Sequence, residues 1–395
     1  MDPLAQILML SDAEREVRGL VHTPQEISQQ PDTWWRTYES LSELAPQLET
    51  FLKGAGVFND VQSRPSVFLI GAGTSDYIGR TVAPLLRRLW QCEVRAVPST
   101  DLLTCVDDNV VTGKANVWVS FSRSGDSSEG VAVLETALKQ RPEIHHLIVS
   151  CNSAGRMARM VSERGNICQV ILDDEVNDRG LAMTSSFSNM VVAGQCLAHI
   201  QDLTRYSATL KALIEAARTF LPAAAQFAHR VVTDGFRKIC FLGTGALHGV
   251  AVESALKVLE LTAGKIVTFN ETFLGLRHGP LSAIDQETLV IGFVSGEPGR
   301  RSYELDLLEE VREKKLAKGV VIIAPKIGLN AEKIMRKIGA VMPLELAVAD
   351  CYRPPVDVFI GQLLGLFASI KLGLKPDTPS PGGAISRVVS QVRIY

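Results

Sequence analysis

The chain has little of what marks several protein classes. Its 395 residues include seven cysteines, at positions 92, 105, 151, 168, 196, 240 and 351, and no two form a C-x-x-C pair. Scattered in this way, several inside strand-like runs, they argue against a disulfide framework or a zinc site. They fit buried thiols in a reducing cytosol. Charge of one sign is equally scarce: 41 basic against 43 acidic residues leave a net charge of −2. Neither nucleic acid nor an anionic membrane is therefore an expected partner, and a phosphorylated ligand would have to be held by local groups. The N-terminus, M-D-P-L-A-Q, lacks a basic region followed by an apolar core, so no signal peptide is expected. The longest apolar stretch, residues 356–374, contains Asp357, Gln362 and Lys371 and reads as a buried helix, not a membrane span. No low-complexity tract occurs. The apolar fraction of 46% and charged fraction of 21% are ordinary for a globular protein, and the length suits about two or three domains.

What the sequence does have is a long internal repetition. Adding 172 to residues 67–75, V-F-L-I-G-A-G-T-S, reaches I-C-F-L-G-T-G-A-L at 239–247. The same offset carries residues 117–125 onto 289–297, 146–149 onto 318–321, and 168–172 onto 340–344. Four apolar runs held by one offset point to duplication of a whole domain, not to an array of short repeats. Residues 1–50 read as a helical segment, with a turn near Thr23–Pro24 and Asp32 placed to cap the helix of Trp34 and Trp35. From Pro65, short β-branched runs alternate with helical stretches, the signature of βαβ units and a parallel sheet covered on both faces. The expected class is α/β, with two doubly wound modules at 51–217 and 218–395. Residues 183–221 read as helical and end at Pro222, which puts the boundary near 215–235.

The two copies differ where chemistry is expected. In the first, Gly71 and Gly73 lie between a strand and a helix, but position 76 is Asp76 and no acidic residue ends the next strand. A dinucleotide fingerprint is therefore poor. Thr74 and Ser75 instead place hydroxyls at a helix N-terminus, where amides and dipole favour an anion. S-R-S-G-D-S-S follows at Ser122, Arg123, Ser124, Gly125, Asp126, Ser127 and Ser128. One serine suffices to cap a helix. A cluster this dense reads as a phosphate cradle. The second copy's equivalent, F-V-S-G-E-P-G-R-R, has lost the hydroxyls, and no phosphate is expected there. That copy carries Glu253, Lys257 and Glu260 on one helix face, at i, i+4 and i+7. The bland alternative is a solvated face with an ion pair. His278 follows in R-H-G-P. His22, His145, His146, His199, His229 and His248 show no metal-ligand spacing.

Together, S-x-S-G-D-S, the glycine turn leading to E-S-A-L-K-x-x-E, and R-H-G-P resemble the sugar isomerase (SIS) superfamily. Within it they resemble the galactosamine-6-phosphate deaminase/isomerases, also called tagatose-6-phosphate ketose/aldose isomerases. The resemblance runs from residue 40 to the C-terminus. It implies two tandem SIS domains, with Ser122, Ser124, Ser127 and Ser75 holding a sugar phosphate and Thr74 and Arg123 beside them. Glu260 would be the base that moves a proton between C1 and C2. His278, which relatives can take from a neighbouring subunit, would assist ring opening. Glu253 and Lys257 would flank the base, and the loop Leu181 to Thr184 would offer backbone contacts to sugar oxygens. The residue types suit this chemistry: an imidazole can move protons in both directions, and a carboxylate beside a lysine can abstract the hydrogen at C2. No metal or redox cofactor is needed.

The arrangement also resembles the isomerase half of glucosamine-6-phosphate synthase, and two departures from those synthases matter. Position 2 is Asp2, where their glutaminase has a nucleophilic cysteine, so ammonia would be released and not drawn from glutamine. Arg387 stands where their tail offers a lysine. An arginine does not form a Schiff base, so Arg387 reads as an electrostatic partner. The expected protein is a cytoplasmic homodimer converting galactosamine 6-phosphate to tagatose 6-phosphate and ammonia. Alternatives keep the enzyme but change the substrate: glucosamine-6-phosphate deamination, fructosamine-phosphate deglycation or plain aldose–ketose isomerisation. A sugar-phosphate-sensing regulator is the non-enzyme alternative. It has no need of Glu260 and His278, and no DNA-binding segment is evident.

Overall fold

The short apolar runs pair as parallel strands, as uninterrupted hydrophobicity on both faces requires. The structure is a computed structural model and describes residues 1–160, 165–326, 328–389 and 392–395. In the first sheet, β1 (Ser66–Gly71), β2 (Glu93–Pro98), β3 (Asn116–Ser122), β4 (His145–Ser150) and β5 (Ile167–Ile171) lie in the order β2-β1-β3-β4-β5. In the second, β6 (Lys238–Leu242), β7 (Val267–Glu271), β8 (Thr288–Phe293), β9 (Gly319–Pro325) and β10 (Ala340–Leu344) lie in the order β10-β9-β8-β6-β7. Read from its other end, the second order is the first. Ser66 and Lys238 start β1 and β6, Asn116 and Thr288 start β3 and β8, and both pairs are 172 residues apart. This is the doubly wound, flavodoxin-like order. Its ligand crevice opens at the C-terminal strand ends, where the chain reverses between first and third strands.

The chain forms two compact units, each discontinuous in sequence. The first-sheet unit comprises residues 32–178, 185–210 and 386–395, and the second-sheet unit comprises 1–31, 179–184 and 211–385. In the first-sheet unit, Phe68 stacks on Trp118, which meets His146 edge-on at 5.5 Å between ring centroids. Trp34 is fully buried and donates to the Ser188 hydroxyl at 2.9 Å, tying the helix Gln30–Gly54 to the helix Ser185–Ala198. In the second-sheet unit, Cys240, Leu242, Val290, Leu307, Leu308 and Ile322 form part of one apolar core. The helix Ala246–Leu261 packs closely on the helix Phe359–Lys371. Gly361 allows this approach, since a Cβ there would lie 2.4 Å from that of Ser254.

Local signals misplace three features. The helix expected to end at Pro222 runs from Leu203 to Asp234 with Pro222 inside it. An internal proline costs about 3 kcal/mol, and here that cost is offset by burial of Leu213, Ala217, Phe220, Leu221, Ala224 and Ala225 along the helix. The break in the 183–221 stretch comes earlier, between Ala198 and Leu203. Asp32 does not cap its helix but lies within the first turn.

Candidate functional site

The first-sheet unit brings two serine-bearing helix N-termini to adjacent strand ends. β1 and β3 are hydrogen-bonded neighbours, so the loops after them emerge side by side. After β1 the helix Thr74–Trp90 begins, with Thr74 and Ser75 in its first turn and both buried. After β3 the chain turns through Arg123, Ser124, Gly125 and Asp126 into the helix Ser128–Gln140. The loop is held by its own serines. Ser122 Oγ accepts from Gly125 N–H at 3.0 Å, and Ser124 Oγ accepts from Asp126 N–H at 3.2 Å. A hydroxyl that accepts from its loop still has a proton to give an anion. Ser127 is the N-cap residue of the second helix, yet its hydroxyl makes no capping bond among the described residues. Capping therefore does not account for it. The two helix N-termini add their partial positive charge to the crevice.

The C-terminal tail reaches the same loop. Arg123 donates to the Arg387 carbonyl, and Ser128 N–H donates to the Val389 carbonyl at 3.1 Å. The Arg387 guanidinium donates to the Asp178 carbonyl and to Asn177 Oδ1, each at 2.7 Å. Asp178 in turn accepts from the first amides of the helix Ser185–Ala198, Ser185 and Ser186, at 3.0 and 2.9 Å. Asn152, which donates to the Ser124 carbonyl at 2.8 Å, supports the loop from β4. Sequence reasoning did not find Asn152, Asn177 or Asp178. One signal was present: the 172-residue offset pairs Asp178 with Asp350.

The second-sheet unit holds a charged cluster. Glu253, Lys257 and Glu260 share a face of the helix Ala246–Leu261. Lys257 Nζ lies 3.3 Å from Glu253 Oε1 and 2.6 Å from Glu260 Oε2. Glu253 and Lys257 are fully buried, whereas the Glu260 side chain is 23% exposed. This is not the solvated face of the bland alternative. Burial alone would lower the Lys257 pKa, but the carboxylates of Glu253 and Glu260 outweigh it, and the net shift is upward. The lysine is thus a fixed cation, and Glu260 is the member of the cluster with a route outward. His278 lies exposed on a separate turn of the same unit, just after the short 3-10 helix Gly275–Arg277. Arg277 anchors that turn through Glu310 at 2.8 Å and Asp306 at 2.7 Å. Residues 179–184, with Leu181 and Thr184, also belong to this unit.

In the second copy the equivalent loop is hydrogen-bonded to the protein's own carboxylates. Asp350 accepts from Gly296 N–H at 2.9 Å and from the Ser295 hydroxyl, and Glu304 accepts from Ser295 N–H at 2.7 Å. Glu297 caps the following helix through Gly299 and Arg300 N–H, at 3.0 and 2.7 Å. Arg353 and Arg300 neutralise Asp350 at 3.1 and 3.0 Å. Burial pushes the Asp350 pKa up, but the Ser295 hydroxyl and the two arginines bring the net shift below the ordinary carboxylate value. Among the described residues, no cluster of histidine, cysteine, aspartate or glutamate is suited to hold a metal.

Comparison with known proteins follows the same lines. No protein-family model matches the chain. It is 36% identical over 374 residues to the D-galactosamine-6-phosphate deaminase AgaS of Escherichia coli, covering 94% of this chain and 95% of that protein. The chain belongs to the AgaS family of the sugar isomerase superfamily. A second AgaS, from Shewanella sp. strain ANA-3, is 30% identical over 394 residues, covering 98% of this chain and 95% of its own. The crystal structure of tagatose-6-phosphate ketose/aldose isomerase from Escherichia coli superimposes with a TM-score of 0.83 at 33% identity. That alignment covers 94% of this chain and 96% of the other. The two SIS domains of this AgaS-family chain are the two parallel sheets with their flanking helices.

Proposed function

We propose that the protein converts galactosamine 6-phosphate and water to tagatose 6-phosphate and ammonia. The observation that carries the reading is the Glu253–Lys257–Glu260 cluster, with one carboxylate accessible, in a chain 36% identical to a deaminase of that specificity. In this reading Ser75, Ser122, Ser124 and Ser127 bind the phosphate, aided by the helix N-termini, with Thr74, Arg123 and Arg387 lining the same crevice. His278 moves the proton between ring oxygen and anomeric hydroxyl that opens the pyranose. Glu260 takes the hydrogen from C2 of the open aldehyde and returns it to C1, while a proton passes from the amine to the aldehyde oxygen, leaving a C1 alcohol and a C2 ketimine. Water adds at C2, the carbon–nitrogen bond breaks, and ammonia departs with the ketose behind. Lys257 holds Glu260 in place, and Glu253 balances the lysine.

The remaining elements belong to the same reading. Leu181 and Thr184 offer backbone contacts to the sugar, and the protein works as a cytoplasmic homodimer in amino-sugar breakdown. The 172-residue offset and the common strand order support residues 51–217 and 218–395 as copies of one ancestral module. Among the described residues no helix is long and apolar enough to cross a membrane.

The test offers galactosamine 6-phosphate and glucosamine 6-phosphate separately and measures ammonia and ketose phosphate. Ammonia from the galacto substrate alone is expected. Ammonia from glucosamine 6-phosphate alone moves the substrate to its epimer. Turnover of a plain aldose phosphate with no ammonia from either amino sugar replaces deamination with isomerisation.

A further inference from the structure

Residues 179–184 interrupt the first-sheet unit in sequence, yet they pack with the second-sheet unit and the N-terminal segment. The contacts that hold them are specific. Glu26, on the helix Thr23–Ser28 and 5% exposed, accepts from Arg179 N–H and, at 3.1 Å, from Gly180 N–H. Leu181 N–H donates to the Asp377 carbonyl at 3.0 Å. Gln362 Nε2 donates to the Thr184 carbonyl at 3.3 Å, while its Oε1 accepts from Gln30 Nε2 at 2.7 Å. Asp377 also fixes the N-terminal helix, since its carboxylate accepts from Val21 and Thr23 N–H, each at 2.7 Å. Gly180 seats the loop: a Cβ there would lie 2.8 Å from Thr23 Oγ1 and 3.0 Å from Glu26 Oε2.

A buried carboxylate is costly unless its hydrogen bonds compensate. Bonds from amides to a charged acceptor are roughly twice as strong as neutral ones. Here that strength is spent on the backbone at the start of one short loop, and the loop's other end is held through Gln30 and Gln362. We propose that Glu26 is a positioning residue. The N-terminal helical segment acts as a brace that sets the backbone of residues 179–184 and so governs binding of the sugar, not of the phosphate. The inference rests on the reading of Leu181 and Thr184 as sugar contacts.

The test compares Glu26→Ala, Glu26→Gln and Gly180→Ala with the parent protein. Three readouts are taken: amide hydrogen exchange over 179–184, KM and kcat for galactosamine 6-phosphate, and the inhibition constant of inorganic phosphate. Glu26→Ala and Gly180→Ala are expected to speed exchange and to raise KM about tenfold or more, with phosphate inhibition unchanged. Glu26→Gln keeps a carbonyl acceptor and should recover most of the loss. Unchanged exchange overturns the brace. Faster exchange with unchanged KM overturns its role in sugar binding, and a parallel loss of phosphate affinity shows a general structural defect instead. If Glu26→Ala does not fold, Glu26→Gln and Gly180→Ala carry the comparison. A parent protein that turns over no amino-sugar phosphate defeats the functional reading separately. Exchange and calorimetric binding of the sugar phosphate then still decide the brace.

Discussion

Lys257 lies 2.6 Å from Glu260 and has no exposed surface, while Glu260 keeps 23% of its side chain open. The helix Ala246–Leu261 thus presents one carboxylate outward, backed by a buried cation. Glu260→Gln keeps the shape and removes the carboxylate proposed as the base. It should lower kcat on the order of a hundredfold to ten-thousandfold, with binding of sugar phosphate retained by calorimetry. An active Glu260→Gln enzyme would move the base elsewhere.

Lys257→Met separates stability from chemistry. Removing the cation from a buried ion cluster takes Lys257 away from the Glu253 carboxylate and should cost about 3–5 kcal/mol in urea unfolding. The folded-state pKa of Lys257 is raised. Its contribution to stability is therefore fully present below the ordinary lysine pKa and is lost only as pH rises through the raised value. The deficit of the variant should be constant across the neutral range.

Ser124→Ala tests the cradle. It should raise KM for the phosphorylated substrate about tenfold, as expected for one lost hydrogen bond to a charged group, with kcat little changed. Steady-state kinetics reads this directly, and an unchanged KM would place the phosphate elsewhere.

The β-branched strands were legible because a parallel strand needs no long-range information to be recognised. The serine loop and the Glu253, Lys257, Glu260 spacing were legible because their geometry is local to one turn or one helix face. Glu26 was not, because its partner Gly180 lies 154 residues away and no local pattern links them. The helix through Pro222 was misread because apolar burial outweighs a local propensity. The fate of the second loop was half legible. The loss of hydroxyls could be read, but Asp350 as the anion in their place needed the fold to bring it 54 residues back to Gly296.

His146 predicts an acid limit to stability. It is fully buried beside Trp118, and among the described residues neither ring nitrogen has a hydrogen-bond partner. Burial, with a smaller contribution from His145, lowers its pKa from 6.5 to about 4. The unfolded chain binds the proton more readily, so stability is complete above pH 6.5 and falls as pH drops toward 4. The loss is about 3 kcal/mol at most. His146→Phe should flatten that part of the pH dependence in thermal unfolding, and an unaltered slope would assign it to other groups.

The most direct test of the account is ammonia release from galactosamine 6-phosphate, measured with tagatose 6-phosphate in the same reaction, for the parent protein and Glu260→Gln side by side. The account predicts equimolar ammonia and tagatose 6-phosphate from the parent and almost none from the variant. Ketose without ammonia, no turnover by the parent, or equal rates from both proteins would contradict it.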